Sequence, residues 1–183
     1  MPLARSPISE AHCPITRAVD VLADKWTLLI LKNATVGMSR FDEFSADLGI
    51  ADNILSARLS RLVELGLMTR VPYQGVGRTR HEYKLTEAGA DVLPLLHRLA
   101  DWGHKHTSVN GIQTEPIRFV HTVCGNPMQH GDYCPSCDVT VARKDEAWVR
   151  PWRDPMVTPL AEPVAGAKRV RFRDRGASTT RAR

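Results

Sequence analysis

The chain has 183 residues, of which 43% are hydrophobic and 6% aromatic, enough for one core of roughly 100 residues with appendages. No apolar run approaches the roughly 20 residues that span a bilayer, and residues 1–12 lack the apolar segment of a signal peptide, so a cytoplasmic location is predicted. The formal net charge of +5 arises in residues 150–183, where nine Lys/Arg accompany three Asp/Glu. The basic composition therefore describes the tail and not the core.

The first predicted elements are a mobile arm over residues 1–12 and one long helix from Pro14 to about Asn33. Proline suits the first turn of a helix. Apolar residues then recur at helical spacing. They are Ile15, Val19, Leu22, Trp26 and Leu29.

Residues 39–66 predict two short helices joined by a tight turn. Ser39 is the expected N-cap of the first, with Asp42 three residues on. Gly49 supplies the positive φ that an inter-helix turn often requires. The second helix ends at Gly66. Three leucines define its buried face: Leu55, Leu59 and Leu62.

A β-hairpin is predicted next. Residues 67–71 and 81–85 alternate like strands, and residues 75–77, Gly-Val-Gly, supply the turn between them. Two short helices followed by a hairpin are typical of proteins that read duplex DNA, with the second helix in the major groove and the hairpin beside it. From Arg58 to Lys84 six Lys/Arg accompany two Glu, a local charge of +4 that suits a surface facing phosphates.

A further helix is predicted to begin at the N-cap Thr86 and to reach about His106, with a kink at Pro94. Its apolar stripe is broader than one small core needs. Together with the first helix it predicts a homodimer interface. The residues of the stripe are Val92, Leu95, Leu96, Leu99 and Trp102.

A set of motifs occurs in a fixed order between residues 13 and 106: Cys13-Pro14-Ile15, Leu22 to Leu31, Arg40 to Phe44, Leu48-Gly49-Ile50, Leu55 to Leu59, Leu65-Gly66-Leu67, Tyr83 to Thr86 and Ala100 to Gly103. This set resembles the HxlR-type winged helix-turn-helix regulators, a MarR-like bacterial family. The resemblance implies a cytoplasmic, dimeric, transcription-regulating DNA-binding protein without enzymatic activity. One departure is Ala51, which stands where relatives often carry a hydroxyl N-cap, so Asp52 is the expected cap.

The second short helix and the hairpin hold the predicted DNA contacts. The polar side of the helix carries Asn53, Ser56, Ala57, Arg58, Ser60 and Arg61. Asparagine pairs with adenine and arginine with guanine, so Asn53 and Arg61 are expected to read bases and Arg58 to contact a phosphate. Arg78 and Arg80, two residues apart on a strand, point the same way and are expected to hold phosphates or enter a narrow minor groove. Ordinary solvated surface residues are the alternative.

Four cysteines in a cytosolic chain favour metal binding or reactive thiols over disulfides. An H-x-x-C pair and a C-x-x-C pair, nine residues apart, fit one closed, structural zinc site. Its predicted ligands are His121, Cys124, Cys134 and Cys137. His130 or Asp138 is an alternative fourth ligand. Thiols without metal and a redox dithiol at the second pair also stay open, although no helix follows that pair to lower a thiol pKa.

Cys13 stands alone, just before Pro14 at the head of the first helix. A helix start favours the thiolate, which is oxidisable. The family resemblance implies a candidate redox sensor, because some members sense oxidants or electrophiles through a cysteine at this place. A small, half-buried structural residue is the alternative.

The predicted fold is mainly α (α+β): a winged helix-turn-helix with flanking dimerisation helices, a small C-terminal zinc-ribbon-like element and a disordered basic tail. The predicted organisation is an arm (1–12), a DNA-binding and dimerisation domain (13–106), a linker (107–117), a Cys-rich element (118–141) and the tail (142–183), with 163–183 an electrostatic arm. The predicted function is a dimeric repressor that binds a palindromic operator in double-stranded DNA. A thiol or zinc enzyme, and a protein-interaction module that uses the C-terminal cysteines, are the alternatives.

Overall fold

A computed structural model describes residues 13–75, 78–129 and 132–165. The predicted arm (1–12), His130 and residues 166–183 of the predicted tail lie outside these ranges. The described helices are α1 (Pro14–Leu22), α2 (Lys25–Thr35), α3 (Phe41–Leu48), α4 (Asp52–Glu64), α5 (Glu87–Ala90) and α6 (Leu93–His106). The strands are β1 (Met68–Gly75), β2 (Arg78–Leu85), β3 (Arg118–His121), β4 (Tyr133–Cys134), β5 (Val139–Thr140), β6 (Glu146–Arg150) and β7 (Asp154–Pro159). Across the described ranges, every helix is too short or too polar to cross a bilayer.

The prediction of one long first helix is wrong, because the chain breaks between α1 and α2. Asp24 adopts an extended backbone conformation and caps α2. Its carboxylate accepts the backbone N–H of Trp26 at 3.1 Å and of Thr27 at 3.2 Å. A strong N-cap inside a continuous apolar pattern therefore starts a new helix.

The helix-turn-helix forms as predicted, with corrections at both helix starts. Gly49 ends α3 in the left-handed region at φ 57°. Helix α3 begins one residue later than expected, and the Glu43 carboxylate, not that of Asp42, accepts the backbone N–H groups of Ser39 and Arg40 at 2.9 Å each. The second correction concerns Asp52, which does not cap α4.

Ala51 is the N-cap residue of α4, without a side-chain hydrogen bond. Asp52 lies inside the first turn, where its carboxylate accepts the hydroxyl of Ser45 at 2.9 Å. An acidic side chain in this turn still complements the helix dipole. The contact also ties the start of α4 to α3.

The core of the helix-turn-helix unit is built from apolar faces of α2, α3 and α4. Its fully buried members are Ile30, Leu31, Phe44, Leu55 and Leu59. Strands β1 and β2 form an antiparallel hairpin that is longer than the predicted strands, with Met68 opposite Leu85 at its base and Gly75 opposite Arg78 near its tip. This hairpin is the wing.

The predicted helix from Thr86 to His106 is two helices, α5 and α6. Thr86 is the N-cap as expected, since its hydroxyl oxygen accepts the N–H of Gly89 at 3.2 Å. Pro94 lies in the first turn of α6, so the predicted kink at this residue is wrong. A proline in the first turn has no helical N–H bond to lose.

The prediction of disorder from residue 142 onward is wrong as far as residue 165. Strands β3, β6 and β7 form an antiparallel sheet in the order β3-β6-β7, and β4 pairs with β5 in a small hairpin. Trp148 and Leu160 are buried in the common core. The burial of Trp148 and Leu160 could not be predicted from the Pro- and Arg-rich composition of this segment, because burial depends on tertiary contacts and not on average polarity.

The chain after β7 returns to the helix-turn-helix unit and pairs with its backbone. The N–H of Ala161 donates to the carbonyl of Thr35 at 2.8 Å, and the N–H of Val164 donates to that of Leu85 at 2.9 Å. The C-terminal sheet is therefore packed on the winged unit.

Candidate nucleic-acid interface and metal centre

Helix α4 presents its predicted polar side to solvent. The exposed residues on this side are Asn53, Ser56, Ala57 and Ser60. The opposite side holds Leu55, Leu59 and Leu62 in the core. The helix is thus fixed by one face, and its small and polar side chains are left accessible on the other.

Arg58 is held within the protein. Its Nη2 donates a hydrogen bond to one Asp24 carboxylate oxygen at 3.1 Å, and its Nε lies 2.9 Å from the other oxygen in an ion pair. Because Asp24 also caps α2, this charge-assisted contact joins α4 to the start of α2. Sequence reasoning missed this contact, since 34 residues separate the partners and no motif joins them.

Arg61 extends from the same helix towards solvent. Its Nη1 lies 3.4 Å from Glu64 Oε2, one turn along, and the Arg61 side chain is 43% exposed. An exposed pair of this kind is weak and leaves the guanidinium available to a stronger partner. The structure therefore keeps Arg61 on the accessible side of α4.

The wing carries Arg78 and Arg80 at the start of β2. Arg78 lies opposite Gly75 and Arg80 opposite Tyr73 in the register. They occupy alternate positions of one strand, and that their side chains share one face of the hairpin stays a prediction. Arg80 is exposed, whereas the side chain of Arg78 lies outside the described part of the chain.

Two further basic residues, Arg40 beside the wing and Lys84 within it, were not predicted as individual contacts. Arg40, 47% exposed, lies 3.5 Å from Glu82, with its guanidinium 4.9 Å from the centre of the Tyr73 ring. The ammonium group of Lys84 approaches the other Glu82 oxygen at 3.0 Å. The hydrogen bond from Lys84 lowers the pKa of Glu82, assisted by that from Arg40. The sequence feature that could have predicted Arg40 as a contact is its position at the start of α3, which was interpreted only as part of a helix cap.

The four predicted metal ligands come together in one cluster. His121, Cys124, Cys134 and Cys137 place one ligand atom each within 4.8 Å of one another. Cys124 Sγ lies 3.4 Å from His121 Nδ1 and 3.6 Å from Cys134 Sγ. A tetrahedron with zinc–ligand bonds of about 2.1–2.3 Å has edges of roughly 3.5–3.8 Å, so this donor set fits zinc.

Two tight turns build the cluster from residues near in sequence. Gly125, at φ 73°, donates its N–H to the carbonyl of His121 at 2.8 Å and closes the first turn. Asp138, at φ 56°, lies in the turn of the β4–β5 hairpin, where its carboxylate accepts the hydroxyl of Tyr133 at 2.5 Å. This contact directs the Asp138 carboxylate to Tyr133, whereas His121 joins the three cysteines.

The thiols of Cys124 and Cys137 differ in pKa because of the hydrogen bonds within and around the cluster. A hydrogen bond from the backbone of Asn126 is the largest cause that lowers the pKa of Cys124 to about 6. The hydrogen bond to Cys124 is the largest cause that raises the pKa of Cys137 to about 11. Backbone donors directed at a sulfur favour the thiolate, the form that binds metals.

Cys13 lies apart from this cluster. It is the half-buried N-cap residue of α1, and its carbonyl accepts the N–H of Arg17 at 3.2 Å. Its position at a helix start agrees with the sequence expectation, and its sensing role stays a prediction.

Helices α1 and α6 carry exposed apolar side chains. Ile15 and Val19 of α1 are 73% and 54% exposed. On α6, Trp102 is 60% exposed, and Leu95 and Leu99 are 42% and 43% exposed. Large apolar side chains gathered at such spacing mark a contact surface.

Comparison with known proteins agrees with this geometry. The model of the HxlR-like helix-turn-helix family matches residues 21–110. An HTH-type transcriptional regulator of Mycobacterium tuberculosis (strain CDC 1551 / Oshkosh) is 37% identical over 131 residues, which cover 72% of this chain and 81% of the relative. The regulator YdeP of Bacillus subtilis (strain 168) is 32% identical over 95 residues, 51% of this chain and 73% of its own.

Solved structures show the same fold. The transcription factor PA1607 is 35% identical, with a TM-score of 0.58 over 79% of this chain and 96% of that one. A MarR-family regulator of Porphyromonas gingivalis W83 is 32% identical, with a TM-score of 0.51 over 56% of this chain and 100% of that one.

The fold and the exposed face of α4 define a winged helix-turn-helix protein with a DNA-binding domain. The chain belongs to the HxlR-like helix-turn-helix family of transcriptional regulators. Its C-terminal Cys/His cluster is a candidate metal site beyond the segment that the family model matches.

Proposed function

We propose that the chain is a dimeric repressor that binds a palindromic operator. Each subunit inserts α4 into the major groove and lays the wing on the neighbouring backbone, with half-sites about 10 bp apart, centre to centre. The observation that carries this proposal is the polar, exposed side of α4, held outward by three buried leucines. Blocking of transcription follows if the operator overlaps a promoter.

The DNA contacts divide by chemistry. Asn53 and Arg61 read bases, because their side chains offer bidentate bonds to adenine and guanine. Arg78 and Arg80 bind the backbone from the wing. Arg58 contacts a phosphate through the guanidinium N–H groups that Asp24 does not occupy. Its larger role is to position α4 through its contact with Asp24.

Ser56, Ala57 and Ser60 complete the contact surface of α4. The serine hydroxyls bond either bases or phosphates, and the Ala57 methyl suits contact with a thymine methyl group. Short side chains at these positions let the helix axis come close to the base edges. Arg61 and Asn53 can then reach without distorting the duplex.

The dimer is built by α1 and α6. Their exposed side chains, above all Trp102 and Ile15, form the apolar surface that a second copy covers. Two recognition helices related by a two-fold axis then match a palindrome.

Footprinting of the purified protein on the DNA upstream of its own gene tests the regulator. We expect protection of a palindrome whose half-sites are one helical turn apart, and affinity that falls as salt rises. Protection independent of sequence would contradict operator recognition. Activation of a reporter, and not its silencing, would contradict repression.

We further propose that the Cys/His cluster holds one structural zinc ion per chain. The donor set of three thiols and one imidazole fits zinc, and no position is left for a reacting water. When bound, zinc supplies cross-links between the two turns. Elemental analysis of protein purified without chelator is expected to give about one zinc per chain, and freely titrating thiols with little zinc would reject the site.

A closed site of this kind also argues against the enzyme alternative. Turnover that disappears in Cys134→Ser would favour an enzyme instead. Capture of a partner by the C-terminal sheet would favour the interaction module. Neither is needed to explain the exposed face of α4, and we propose no catalytic activity.

A further inference from the structure

A buried polar pair joins α6 to the C-terminal sheet. His97 Nε2 of α6 lies 2.7 Å from Glu146 Oε1 of β6, and both side chains are only 2% exposed. The indole N–H of Trp148 donates to the same Glu146 oxygen at 2.9 Å. The His97 ring also lies 4.0 Å from the Phe119 ring of β3, centre to centre.

This pair is poorly explained by stability alone. Burying two polar side chains costs solvation, and apolar residues of similar size often stabilise as well or better. What the pair provides is geometry, because a close contact between one imidazole nitrogen and one carboxylate oxygen specifies the place of α6 against β6 in a way that interchangeable apolar contacts do not.

The pair lies next to the Cys/His cluster in the sheet. Residue His121, a metal ligand, is the cross-strand partner of Glu146 in the β3–β6 register. The next residue, Thr122, donates its N–H to the carbonyl of Asp145 at 2.8 Å. One cross-strand step and the 2.7 Å contact between Glu146 and His97 therefore separate the metal cluster from His97.

The far side of α6 is the proposed dimer surface. His97 and Leu96 face the interior, whereas Leu95, Leu99 and Trp102 are exposed on the other side. A displacement of α6 at His97 is thus also a displacement of the surface that the second copy covers.

We propose that the Cys/His cluster is a regulatory metal site, whose occupancy is transmitted through Glu146 and His97 to α6 and so to dimerisation. The inference rests on the proposed zinc site and dimer. Zinc fixes His121 and its strand, which sets Glu146 and holds α6 in the arrangement that dimerises. Without zinc, the β4–β5 hairpin has two residues in each strand and cannot hold the cluster by itself.

Sedimentation of the full chain, with zinc chloride or with chelator, measures the dimer dissociation constant in both states. We expect zinc to tighten the dimer by about 5- to 100-fold, the usual range for coupling between two sites. Because coupling is reciprocal, the zinc dissociation constant must fall when the protein concentration is raised into the dimeric range.

Variants then test the path. The double variant His97→Leu/Glu146→Leu removes both polar groups and leaves all four candidate zinc ligands in place. We expect it to bind zinc with unchanged stoichiometry, while the effect of zinc on the dimer dissociation constant falls to about twofold or less. His97→Phe is the second disrupting variant, since it keeps an aromatic ring beside Phe119. Glu146→Gln retains an acceptor for Trp148 and His97 and is expected to retain the effect.

Arg153→Gln is the matched control. Its bond to Asp47 joins the same sheet to α3 by another route, so the zinc effect is expected to persist. The inference is overturned, and the zinc site is retained, if the dimer dissociation constant of the wild type is the same with and without bound zinc. It is also overturned if zinc tightens the dimer of both disrupting variants as much as that of the wild type. A chain that takes up no zinc overturns both, and a chain that is monomeric with and without zinc overturns the dimer and the inference together.

Discussion

Gly89 shows how a single residue fixes the junction between the wing and α5. A Cβ atom built at this position would lie 2.0 Å from the carbonyl oxygen of Leu67, far inside any real contact. The backbone of α5 approaches the base of β1 this closely because Thr86 donates to the Gly66 carbonyl at 2.6 Å while capping the helix. Only glycine leaves room for both contacts.

We predict that Gly89→Ala destabilises the protein by about 1–3 kcal/mol, because backbone must move to relieve the overlap. Gly103→Ala in α6 is the control, since a Cβ there meets nothing within 4 Å. That substitution is expected to be neutral or to stabilise by about 0.5–1 kcal/mol through helix propensity. Urea unfolding measures both, and equal free energies of unfolding for the two variants would contradict the close approach.

Sequence patterns located some single residues and missed others for a definite reason. Gly49 and Thr86 were predictable, because turn and cap chemistry is local in the chain. His97 and Glu146 were not, because partners 49 positions apart share no motif and burial is what makes them a pair. The clustering of the four candidate metal ligands was predictable, since two short spacings carried the signal.

At the level of elements, we predict separable roles in DNA binding for α4 and the wing. We predict that Arg61→Ala weakens operator binding by about 1–3 kcal/mol and relaxes preference at one base pair, because a base contact is lost. Arg80→Ala, like Arg78→Ala, is expected to weaken binding to all duplexes and to lower the salt slope by about one. Binding to operator and to scrambled duplex at several salt concentrations measures both effects.

Arg118→Ala provides the charge-matched control, as this exposed arginine belongs to β3 and not to the winged unit. Its affinity for both duplexes is expected to equal that of the wild type. If Arg61→Ala and Arg80→Ala each lose the same affinity for operator and for scrambled DNA, the assignment of base recognition to Arg61 and of backbone binding to Arg80 is incorrect.

The prediction for dimer assembly concerns the exposed apolar stripe of helix α6. Leu99→Glu puts a charge into the exposed apolar stripe, where a second copy would have to bury it. We expect a folded monomer with much weaker operator binding, measured by light scattering and by duplex titration. Lys105→Glu also places an acid at an exposed position of α6, three residues beyond Trp102, the last residue of the stripe, and is expected to remain dimeric. A wild-type monomer at micromolar concentration would refute the interface.

For the whole molecule, the sequence predicted the winged unit well and the C-terminal third poorly. Amphipathic periods, caps and turns specify the helices and hairpin locally, so residues 39–85 could be assigned. Within the sheet of β3, β6 and β7, the pairing of β3 with β6 joins residues 25 or more positions apart, and Trp148 of β6 is buried. Such pairing is set by long-range packing, which composition alone does not reveal.

The two parts are also joined by a charged contact at Asp47. This carboxylate on α3 bonds Arg153 of the C-terminal sheet and the amide of Asn33, and its side chain is 7% exposed. Burial raises the pKa of Asp47, but the hydrogen bonds from Arg153 and Asn33 outweigh it and hold that pKa below 3.8. A lowered pKa means that the folded state binds the proton less readily than the unfolded chain.

The stabilisation from Asp47 is therefore present above about pH 4 and is lost as the pH falls through the folded-state pKa. We predict that Asp47→Asn destabilises by about 1–3 kcal/mol near pH 6, because two hydrogen bonds to a charge are weakened. Measured again at a more acidic pH, the difference from the wild type should shrink as the pH falls through the lowered folded-state pKa of Asp47. Asp20→Asn, an exposed site on α1, is the control and should give no comparable difference. A difference between Asp47→Asn and wild type that is the same at both pH values would show that the carboxylate charge does not hold the C-terminal sheet to α3.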